Sequence, residues 1–493
     1  MVGTTRVQIR IAAGLLPLLA VVGCLGQVPS NPSNADGGCG SCATPPSADL
    51  ASSPSDLAGV EAQDLAPTTA SDMATTPQTS NCTNGTCFCV GPVATGNGSG
   101  SDWNNQKAWS STPARGDTWY LRGGAYASKT FNTPDSGSTL ITIKKASAQD
   151  HVTNTGWQAS YGTDQAAWTS SAVIFTSGHY VFDGGYRNED DWFDGTAYGF
   201  GFTNLNWGSS VVFYGGISNV TVRYCYSKGG LMTSSTPPVA GFAFDAHEGP
   251  LNYDLTISRC YSEAGYDTFE FQQAARAVIE YCAVWGAQGS ANNHGNAIDL
   301  FYSQYGSTVR YNILRDSYNG GYPGSLAGGA SSPFSYSWAS ATSGQTLIYG
   351  NVIDGYSGQG IETAPPGSAW GTGGHGRNVL VYNNTIVSRP GDTSYDAITL
   401  DWDSTLGDIS GSQIYNNLIV SNTTWGTAIA GVADKQNNVV TSDTSIFVNY
   451  ANRDLRLARA VGAGKPLSAP YNADLNEKVR GADGVFDVGA YEY

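Results

Sequence analysis

One short motif recurs seven times between residues 222 and 417 of this chain, and it constrains the fold more than any other feature. Each copy closes an apolar, alternating segment and ends in Cys or Asn. The copies are Val-Arg-Tyr-Cys225, Ser-Arg-Cys260, Glu-Tyr-Cys282, Val-Arg-Tyr-Asn312, Ile-Tyr-Gly-Asn351, Val-Tyr-Asn-Asn384 and Ile-Tyr-Asn-Asn417. Their last residues lie 22 to 39 positions apart. Constant segments at variable intervals predict a coil whose strands repeat and whose loops differ in length.

A second alternating segment follows most copies of the motif. These segments are Phe242-Ala-Phe244-Asp, Phe269-Glu-Phe271-Gln, Ile298-Asp-Leu300-Phe, Ile361-Glu-Thr363-Ala and Ile398-Thr-Leu400-Asp. Their period of two places the apolar residues on one face of a strand and the polar residues on the other. If such units stack as parallel strands about 4.8 Å apart, their apolar faces form one continuous core. The sequence therefore predicts an all-β solenoid.

This pattern resembles the right-handed parallel β-helix of the pectate-lyase-like superfamily. The column Asn312, Asn351, Asn384 and Asn417 resembles the asparagine ladder of that fold. Arg115-Gly-Asp117-Thr-Trp-Tyr-Leu-Arg-Gly-Gly124 and Asp487-Val-Gly-Ala-Tyr-Glu-Tyr493 resemble its first rung and closing segment. The resemblance implies a β-helix over residues 91–460 and a closing segment over 461–493. Its members include lyases, hydrolases, epimerases and non-catalytic binders, so it does not imply one activity.

The N-terminus predicts export. Arg6 and Arg10 precede a short apolar run that ends at Val21-Val22-Gly23-Cys24. The run is shorter than the roughly 20 residues that a membrane-spanning helix needs, and it is typical of a signal peptide. Val-Val-Gly-Cys resembles the bacterial lipobox, which implies lipidation of Cys24, and Leu25 is compatible with anchoring in the outer membrane. The alternative is ordinary cleavage near by, with Cys24 uninvolved.

Residues 25–90 contain no Lys or Arg and are rich in Pro, Ser, Thr, Ala and Asp. Such a segment cannot bury enough apolar surface to offset the entropy of ordering it. We expect a disordered tether between the anchor and the folded body.

The formal charge of −16 disfavours nucleic acid and anionic membrane surfaces, which are bound through basic patches. We expect no nucleic-acid partner and a monomeric chain. The negative charge also opposes any acidic substrate unless a cation intervenes.

Three cysteines, Cys225, Cys260 and Cys282, occupy the ladder position in the early rungs. One interpretation is a small apolar stack in place of asparagine. The other is a disulfide between adjacent rungs, which would leave one of the three unpaired.

Carboxylates on the second strands define the candidate site. Alignment on the inward residues places Glu270, Asp299 and Glu362 in one outward column and Asp245, with Asp401, in the next. Like charges on successive rungs repel and favour a bound cation. Calcium is the expected ion, since it prefers oxygen ligands, and Asp245, Glu270 and Asp299 are the predicted ligands. The alternative is that these residues only solvate an exposed face.

Lyases of the superfamily imply a mechanism. In them calcium neutralises a uronate carboxylate and acidifies the C5 proton, which Lys, Arg or His then removes. The candidates for proton transfer here are His247, His294, Lys228 and Arg315. His247 and His294 flank the acidic strands, and the two basic residues each lie three positions beyond the ladder. The lysine that alginate and chondroitin lyases carry after the acidic strand is absent, since Gln272 and Gln273 follow Phe271.

Candidate substrate contacts are Trp192 and Trp402, which lie beside acidic residues, together with Glu362 and Asp401. Tyr349, Tyr382 and Tyr415 form a further aromatic column, for which we favour a structural role over sugar binding.

The sequence thus predicts an exported β-helix protein that acts on an acidic polysaccharide as a calcium-assisted lyase. The alternatives are a non-catalytic glycan-binding or adhesive protein and a glycoside hydrolase. For a hydrolase, carboxylates on adjacent rungs would lie about 5 Å apart, which suits a retaining mechanism.

Overall fold

The computed structural model describes most of the chain after residue 85. The described residues are 86–205, 208–230, 243–246, 249–265, 268–271, 273–288, 296–300, 306–317, 334–336, 345–356, 360–363, 378–389, 396–400, 410–421, 429–430, 434–462 and 464–493. The signal peptide, Cys24 and nearly all of the expected tether lie outside these ranges. None of the helices in these ranges has the length and apolar character that a membrane span requires.

The described chain passes through three parallel sheets in turn, which we call sheets A, B and C. One coil consists of Ser218–Arg223 in sheet A, Cys225–Gly229 in sheet B and Phe244–Asp245 in sheet C, and the chain then returns to sheet A at Asn252–Ser258. This is the right-handed parallel β-helix that the repeat predicts.

Sheet A has 14 strands within the described ranges. In the order in which they stack, they are Lys107–Ala108, Cys87–Gly91, Thr118–Leu121, Ile141–Lys145, Tyr180–Asp183, Ser218–Arg223, Asn252–Ser258, Val278–Glu280, Thr308–Arg310, Thr346–Tyr349, Val379–Tyr382, Gln413–Tyr415 and Asp434–Gln436, with Ala274–Ala275 paired to Asn252–Ser258.

Sheet B has 11 strands in the same part of the chain. They are Gly124–Ala125, Ala166–Thr169, Phe200–Asn204, Cys225–Gly229, Tyr261–Gly265, Ala283–Ala287, Ile313–Ser317, Val352–Tyr356, Thr385–Val387, Leu418–Val420 and Val439–Thr441.

Sheet C carries the acidic strands and has 10 described members. They are Lys129–Phe131, Val173–Phe175, Val211–Phe213, Phe244–Asp245, Phe269–Glu270, Ile298–Asp299, Phe334–Tyr336, Ile361–Thr363, Ile398–Leu400 and Ile429–Ala430.

Few other regular elements occur in the described chain. Its other elements are an α-helix at Ala159–Thr163, 3₁₀ turns at Gly195–Ala197, Thr444–Ile446 and Tyr450–Asn452, and an antiparallel pair of strands, Phe447–Asn449 and Asp454–Leu457.

The corner between sheets A and B is a sharp turn at one residue with a positive φ. The residues at this position include Tyr224, Arg259, Tyr281, Tyr311, Gly350, Asn383 and Asn416. Gly and Asn suit this left-handed conformation, whereas Tyr and Arg adopt it against their own preference. The next residue of each rung is the ladder residue, which the corner turns inward.

The asparagine ladder is confirmed. Asn312, Asn351 and Asn384 each donate a side-chain hydrogen bond to the amide oxygen of the next rung's asparagine, at 2.9–3.0 Å. The ladder continues from Asn417 to Asn438, one rung beyond the predicted column. Because these amides are almost fully buried, each bond replaces a contact with water that the folded chain cannot make.

Cys225, Cys260 and Cys282 are buried free thiols, so the interpretation as an apolar stack is confirmed and the disulfide is wrong. The stack joins the ladder directly, since the Cys282 backbone N–H donates to Asn312 Oδ1 at 2.9 Å.

The folded body begins earlier than predicted. Strand Cys87–Gly91 pairs with Thr118–Leu121, so residues 87–90 belong to sheet A and not to the tether. The segment at Arg115 still opens the first complete rung, since Thr118–Leu121 is followed by Gly124–Ala125 and Lys129–Phe131, the first strands of sheets B and C. The C-terminal segment packs beside the A/B corner, where Asn383 Nδ2 donates to Tyr471 O and Asn416 Nδ2 donates to Lys465 O.

Candidate functional site

Four carboxylates share one register position of sheet C, and we call them the acidic column: Asp245, Glu270, Asp299 and Glu362. Asp245 pairs with Glu270, which pairs with Asp299. Ser335 occupies the next rung, and Glu362 follows it. Their neighbours Phe244, Phe269 and Ile298 point into the core, so the acidic column lies on the opposite face.

The predicted register of Asp245 was wrong by two residues. The sequence alignment matched Phe242 to Phe269, whereas the structure pairs Phe244 with Phe269, with ring centroids 4.7 Å apart. A shift of two residues keeps every side chain on its own face, so alternation alone does not exclude it. The shift moves Asp245 into the column of Glu270.

The acidic column is buried. Its side chains are 4%, 1%, 5% and 4% exposed at Asp245, Glu270, Asp299 and Glu362. A solvated strand face would be largely exposed, so the alternative that these residues merely solvate the protein is wrong. Carboxylates that are both buried and about 5 Å from one another favour a proton or a cation at the site.

Two polar side chains support the column from neighbouring segments. Ser209 Oγ donates to Asp245 Oδ2, and Asn296 Nδ2 lies 3.5 Å from Asp299 Oδ2. Neither was identified from the sequence, because each reaches its carboxylate from a loop before a strand. Ser209 bonds to Asp245 across rungs, so the local sequence carries no signal for it, whereas Asn296 lies three residues before Asp299 in the same rung.

The pKa of Glu362 is perturbed by its surroundings. Burial raises its pKa from 4.5 to about 7, because desolvation disfavours the charged form. A carboxyl group with this pKa exchanges a proton near neutral pH, as general acids and bases do. The sequence predicted Glu362 only as a substrate contact.

No three His, Cys, Asp or Glu side chains within the described ranges are grouped closely enough to hold a metal ion. The acidic column supplies the hard oxygen ligands that calcium prefers, yet its members follow a line along the sheet and do not enclose a point.

Lys228 and Arg315 do not lie with the acidic column. Both are in strands of sheet B, and Lys228 pairs with Glu263, with Nζ 2.5 Å from Oε1. The expectation that these cations flank the carboxylates is therefore wrong. Lys228 lies 17 positions before Asp245 in the sequence, but the chain crosses from sheet B to sheet C between them.

Trp192 also lies away from sheet C. Its ring packs under the Arg187 guanidinium, 3.9 Å from the ring centroid, and against Tyr281 at the corner between sheets A and B. The other predicted site residues, His247, His294, Asp401 and Trp402, lie outside the described residues.

The tyrosine column has a structural role. Tyr349, Tyr382 and Tyr415 are in register and buried, and Tyr471 of the C-terminal segment packs edge-on against Tyr349 and Tyr382. Lys465 lies over the Tyr415 ring at 4.2 Å. A glycan has no access to faces that the protein itself covers.

No protein-family model matches the sequence, and no curated protein matches it. Solved structures do match. A pectate lyase, Pel9A, has a TM-score of 0.50 and 14% identity and covers 83% of this chain and 98% of its own. A rhamnogalacturonan lyase (TM-score 0.45, 12% identity) covers 74% and 91%, and a PL6 family polysaccharide lyase from Pseudopedobacter saltans (TM-score 0.35, 12% identity) covers 73% and 94%. At 14% identity, the likeness to the pectate lyase shows a shared parallel β-helix fold.

Proposed function

We propose that this protein acts on an extracellular acidic polysaccharide at the acidic column, by β-elimination within a uronic-acid-containing glycan. The observation that carries the proposal is the register of Asp245, Glu270, Asp299 and Glu362 on one buried face. Polar groups that are buried at a cost in stability are typical of functional sites. The fold supports the proposal, because a pectate lyase is built on it.

We propose calcium as part of the substrate complex. Asp245, Glu270 and Asp299 provide carboxylate oxygens along a line, and a uronate carboxylate can supply the ligands that the described side chains do not. Bound calcium would neutralise the substrate carboxylate and acidify the proton on C5.

Within the described residues, Glu362 is the proposed proton acceptor. In its ionised form it takes the C5 proton, a C4–C5 double bond forms, and the C4–O bond breaks with protonation of the departing oxygen. Its pKa of about 7 leaves a useful ionised fraction at neutral pH. His247 and His294, which flank the acidic strands in sequence, are further candidates for the same proton transfers.

A glycoside hydrolase is the second candidate, and the spacing of the acidic column favours it. Asp245 and Glu270 occupy adjacent rungs, about 5 Å apart, which matches a retaining pair. In that case one member of this pair would be the nucleophile and the other the general acid and base, and Glu362, three rungs from Glu270, would contact a neighbouring sugar unit of the glycan.

The test is incubation of the full chain with pectate, alginate and glycosaminoglycans, with and without a calcium chelator. A lyase produces unsaturated ends that absorb in the ultraviolet, and the chelator abolishes them. A hydrolase releases reducing ends without that absorbance. Glu263→Gln, an acidic-to-amide change in sheet B, is the matched control for a Glu362→Gln variant. We expect Glu263→Gln to leave product formation unchanged.

Glycan binding without either product would contradict both enzymatic candidates and support a non-catalytic adhesive role. We also propose that the protein is exported and held at the outer membrane through a lipid on Cys24, as the N-terminal sequence predicts.

A further inference from the structure

A cavity of about 590 Å³ lies on the outer side of sheet B, away from the acidic column. Its floor is formed by Ile313 and Arg315 of strand Ile313–Ser317. One wall is the loop 189–193, and the other is formed by residues 452–456 and 475–476 of the C-terminal region. The volume falls within the range of about 300–1,000 Å³ that is usual for small-molecule sites.

Hydrogen bonds and a cation–π contact hold the loop wall in place. The Arg187 guanidinium donates to Tyr281 O and, through Nε, to Glu189 Oε2 at 2.9 Å. Trp192 packs on the same guanidinium, and its Nε1 donates to Glu189 O at 3.1 Å. The loop is therefore fixed to the corner of the β-helix, and the cavity beside it is a preformed feature.

The opposite wall is fixed in a similar way. Arg453 Nη2 donates to Asp316 Oδ1 at 2.7 Å, and Arg456 Nη2 donates to Asp454 Oδ2 at 2.6 Å. Ion pairs thus neutralise both of these arginines. Glu189 on the loop wall is likewise paired, with Arg187.

Arg315 differs from the other arginines that line the cavity. Among the described residues, no carboxylate lies within ion-pair distance of Arg315, and no acceptor reaches its buried Nε. Its guanidinium lies over the Phe193 ring at 4.3 Å, and Nη2 donates to Arg453 O at 3.3 Å. A guanidinium has five N–H donors, so most of this group's donor capacity is left for a ligand.

The lining defines the class of ligand. Arg315 offers a planar donor for one carboxylate, and Asp190, Asp191, Asn452 and Asn476 offer acceptors and donors for hydroxyl groups. The two aspartates would repel a phosphate or another dense anion. A molecule with one carboxylate and several hydroxyl groups satisfies both conditions.

We propose that this cavity is a second saccharide-binding site, which takes one uronic acid residue with its carboxylate on Arg315. The ligand class rests on the proposed function, but the site itself rests on the cavity and on Arg315. Sheet B carries this cavity and sheet C carries the acidic column, so one long glycan chain would bind at both sites. Binding at the cavity would then raise the effective concentration of substrate at the acidic column.

The test is titration of the full chain with galacturonic acid, galactose and acetate, followed by calorimetry and by tryptophan fluorescence. We expect galacturonic acid to bind at least tenfold more tightly than galactose or acetate. Arg315→Gln is expected to weaken binding of galacturonic acid at least tenfold. Arg459→Gln, a surface arginine outside the cavity that pairs with Asp443, is the matched control and is expected to change nothing.

Asn476→Trp provides a second variant, because it narrows the cavity from an exposed position and leaves Arg315 in place. Trp192→Phe is expected to remove the fluorescence change while the calorimetric signal remains. Binding that survives both Arg315→Gln and Asn476→Trp would overturn the proposal. Equal affinity for acetate and galacturonic acid would contradict a saccharide site.

This experiment is independent of the proposed function, because a monosaccharide has no glycosidic bond to cleave. Binding of galacturonic acid without lyase or hydrolase products would contradict the proposed function alone. Products without binding at Arg315 would contradict the second site alone.

Discussion

At the scale of single residues, Glu362 combines a cost in stability with the proton-transfer role that we propose for it. Its side chain is buried, and burial raises its pKa from 4.5 to about 7. In the folded protein the carboxyl group therefore holds its proton over a pH range in which the unfolded chain has released it. Folding stability is highest below the unfolded pKa and falls as the pH rises toward the folded pKa.

Glu362→Gln should stabilise the protein at pH 8, because the amide has no charge to bury. The expected gain in the free energy of unfolding is about 3 kcal/mol at pH 8, from a pKa shift of about 2.5 units. Near pH 3.5 the gain should disappear, since the Glu362 carboxyl group is then protonated in both the folded and the unfolded protein. Urea denaturation at the two pH values measures it, and an equal effect at both would contradict the cause given.

The same substitution should reduce activity. Loss of a general acid or base lowers kcat by about 10²- to 10⁴-fold. If Glu362 accepts the C5 proton, the wild-type rate rises with pH through about 7, whereas a proton-donating Glu362 gives a rate that falls over the same range. A pH–rate profile on the best substrate separates the two roles. A Glu362→Gln variant with kcat within twofold of wild type would contradict a role for Glu362 in proton transfer.

At the scale of structural elements, the asparagine ladder makes the corner between sheets A and B rigid. Asn351 illustrates the geometry: its Nδ2 donates to Val309 O and to Asn384 Oδ1, and its Oδ1 accepts from the backbone N–H and Nδ2 of Asn312. One side chain thus joins three rungs. The cysteine stack at Cys225, Cys260 and Cys282 fills the same position with thiols, whose hydrogen bonds to backbone groups are weaker than those of an amide.

Asn351→Ala should therefore be much more destabilising than Cys282→Ala. The first leaves several buried polar groups without partners and is expected to cost about 3–6 kcal/mol. The second mainly leaves a small cavity and is expected to cost about 1–2 kcal/mol. Urea denaturation of both variants measures the difference. Similar costs would mean that the ladder contributes packing alone.

At the scale of the whole molecule, the two sites that we propose lie on separate faces of the β-helix. Sheet C carries the acidic column, and the outer side of sheet B carries the cavity over Arg315. The loop at 189–193 and the C-terminal region both pack against the A/B corner, and together they form the cavity walls. Two segments that are far apart in the sequence thus enclose a cavity that neither would form alone.

Cys24→Ser should change where the whole protein resides in its host cell. If Cys24 carries a lipid, the wild type fractionates with membranes, and the variant moves to the soluble exported fraction. Fractionation followed by mass spectrometry of the mature N-terminus measures this. An unmodified Cys24, or a variant that still fractionates with membranes, would contradict the lipid anchor.

Several features could be predicted from the sequence because they depend on residues close together in the chain. The motif ending in Cys225 and Asn312 predicted the strands, and its recurrence predicted parallel stacking. Alternation predicted that Phe244 faces the core and Asp245 does not. Each of these inferences uses a period of two or the repeat of a short segment, and both can be read directly from the order of the residues.

Three other features required the tertiary structure. Alternation permits a slip of two residues, so only the packing of Phe244 on Phe269 placed Asp245 beside Glu270. The burial that raises the pKa of Glu362 depends on the segments that surround sheet C. The sequence of the strand that carries Glu362 does not predict it.

The positions of Lys228 and Arg315 also depended on the fold, because sheets B and C follow one another in sequence yet present different surfaces. By itself, the sequence determined that this chain would coil and, between residues 222 and 417, which segments form the rungs and which of their residues face outward. Only the tertiary structure decided which outward-facing residues lie next to one another. The loops between strands vary in length, and their lengths set how each strand is aligned with the strand of the next rung.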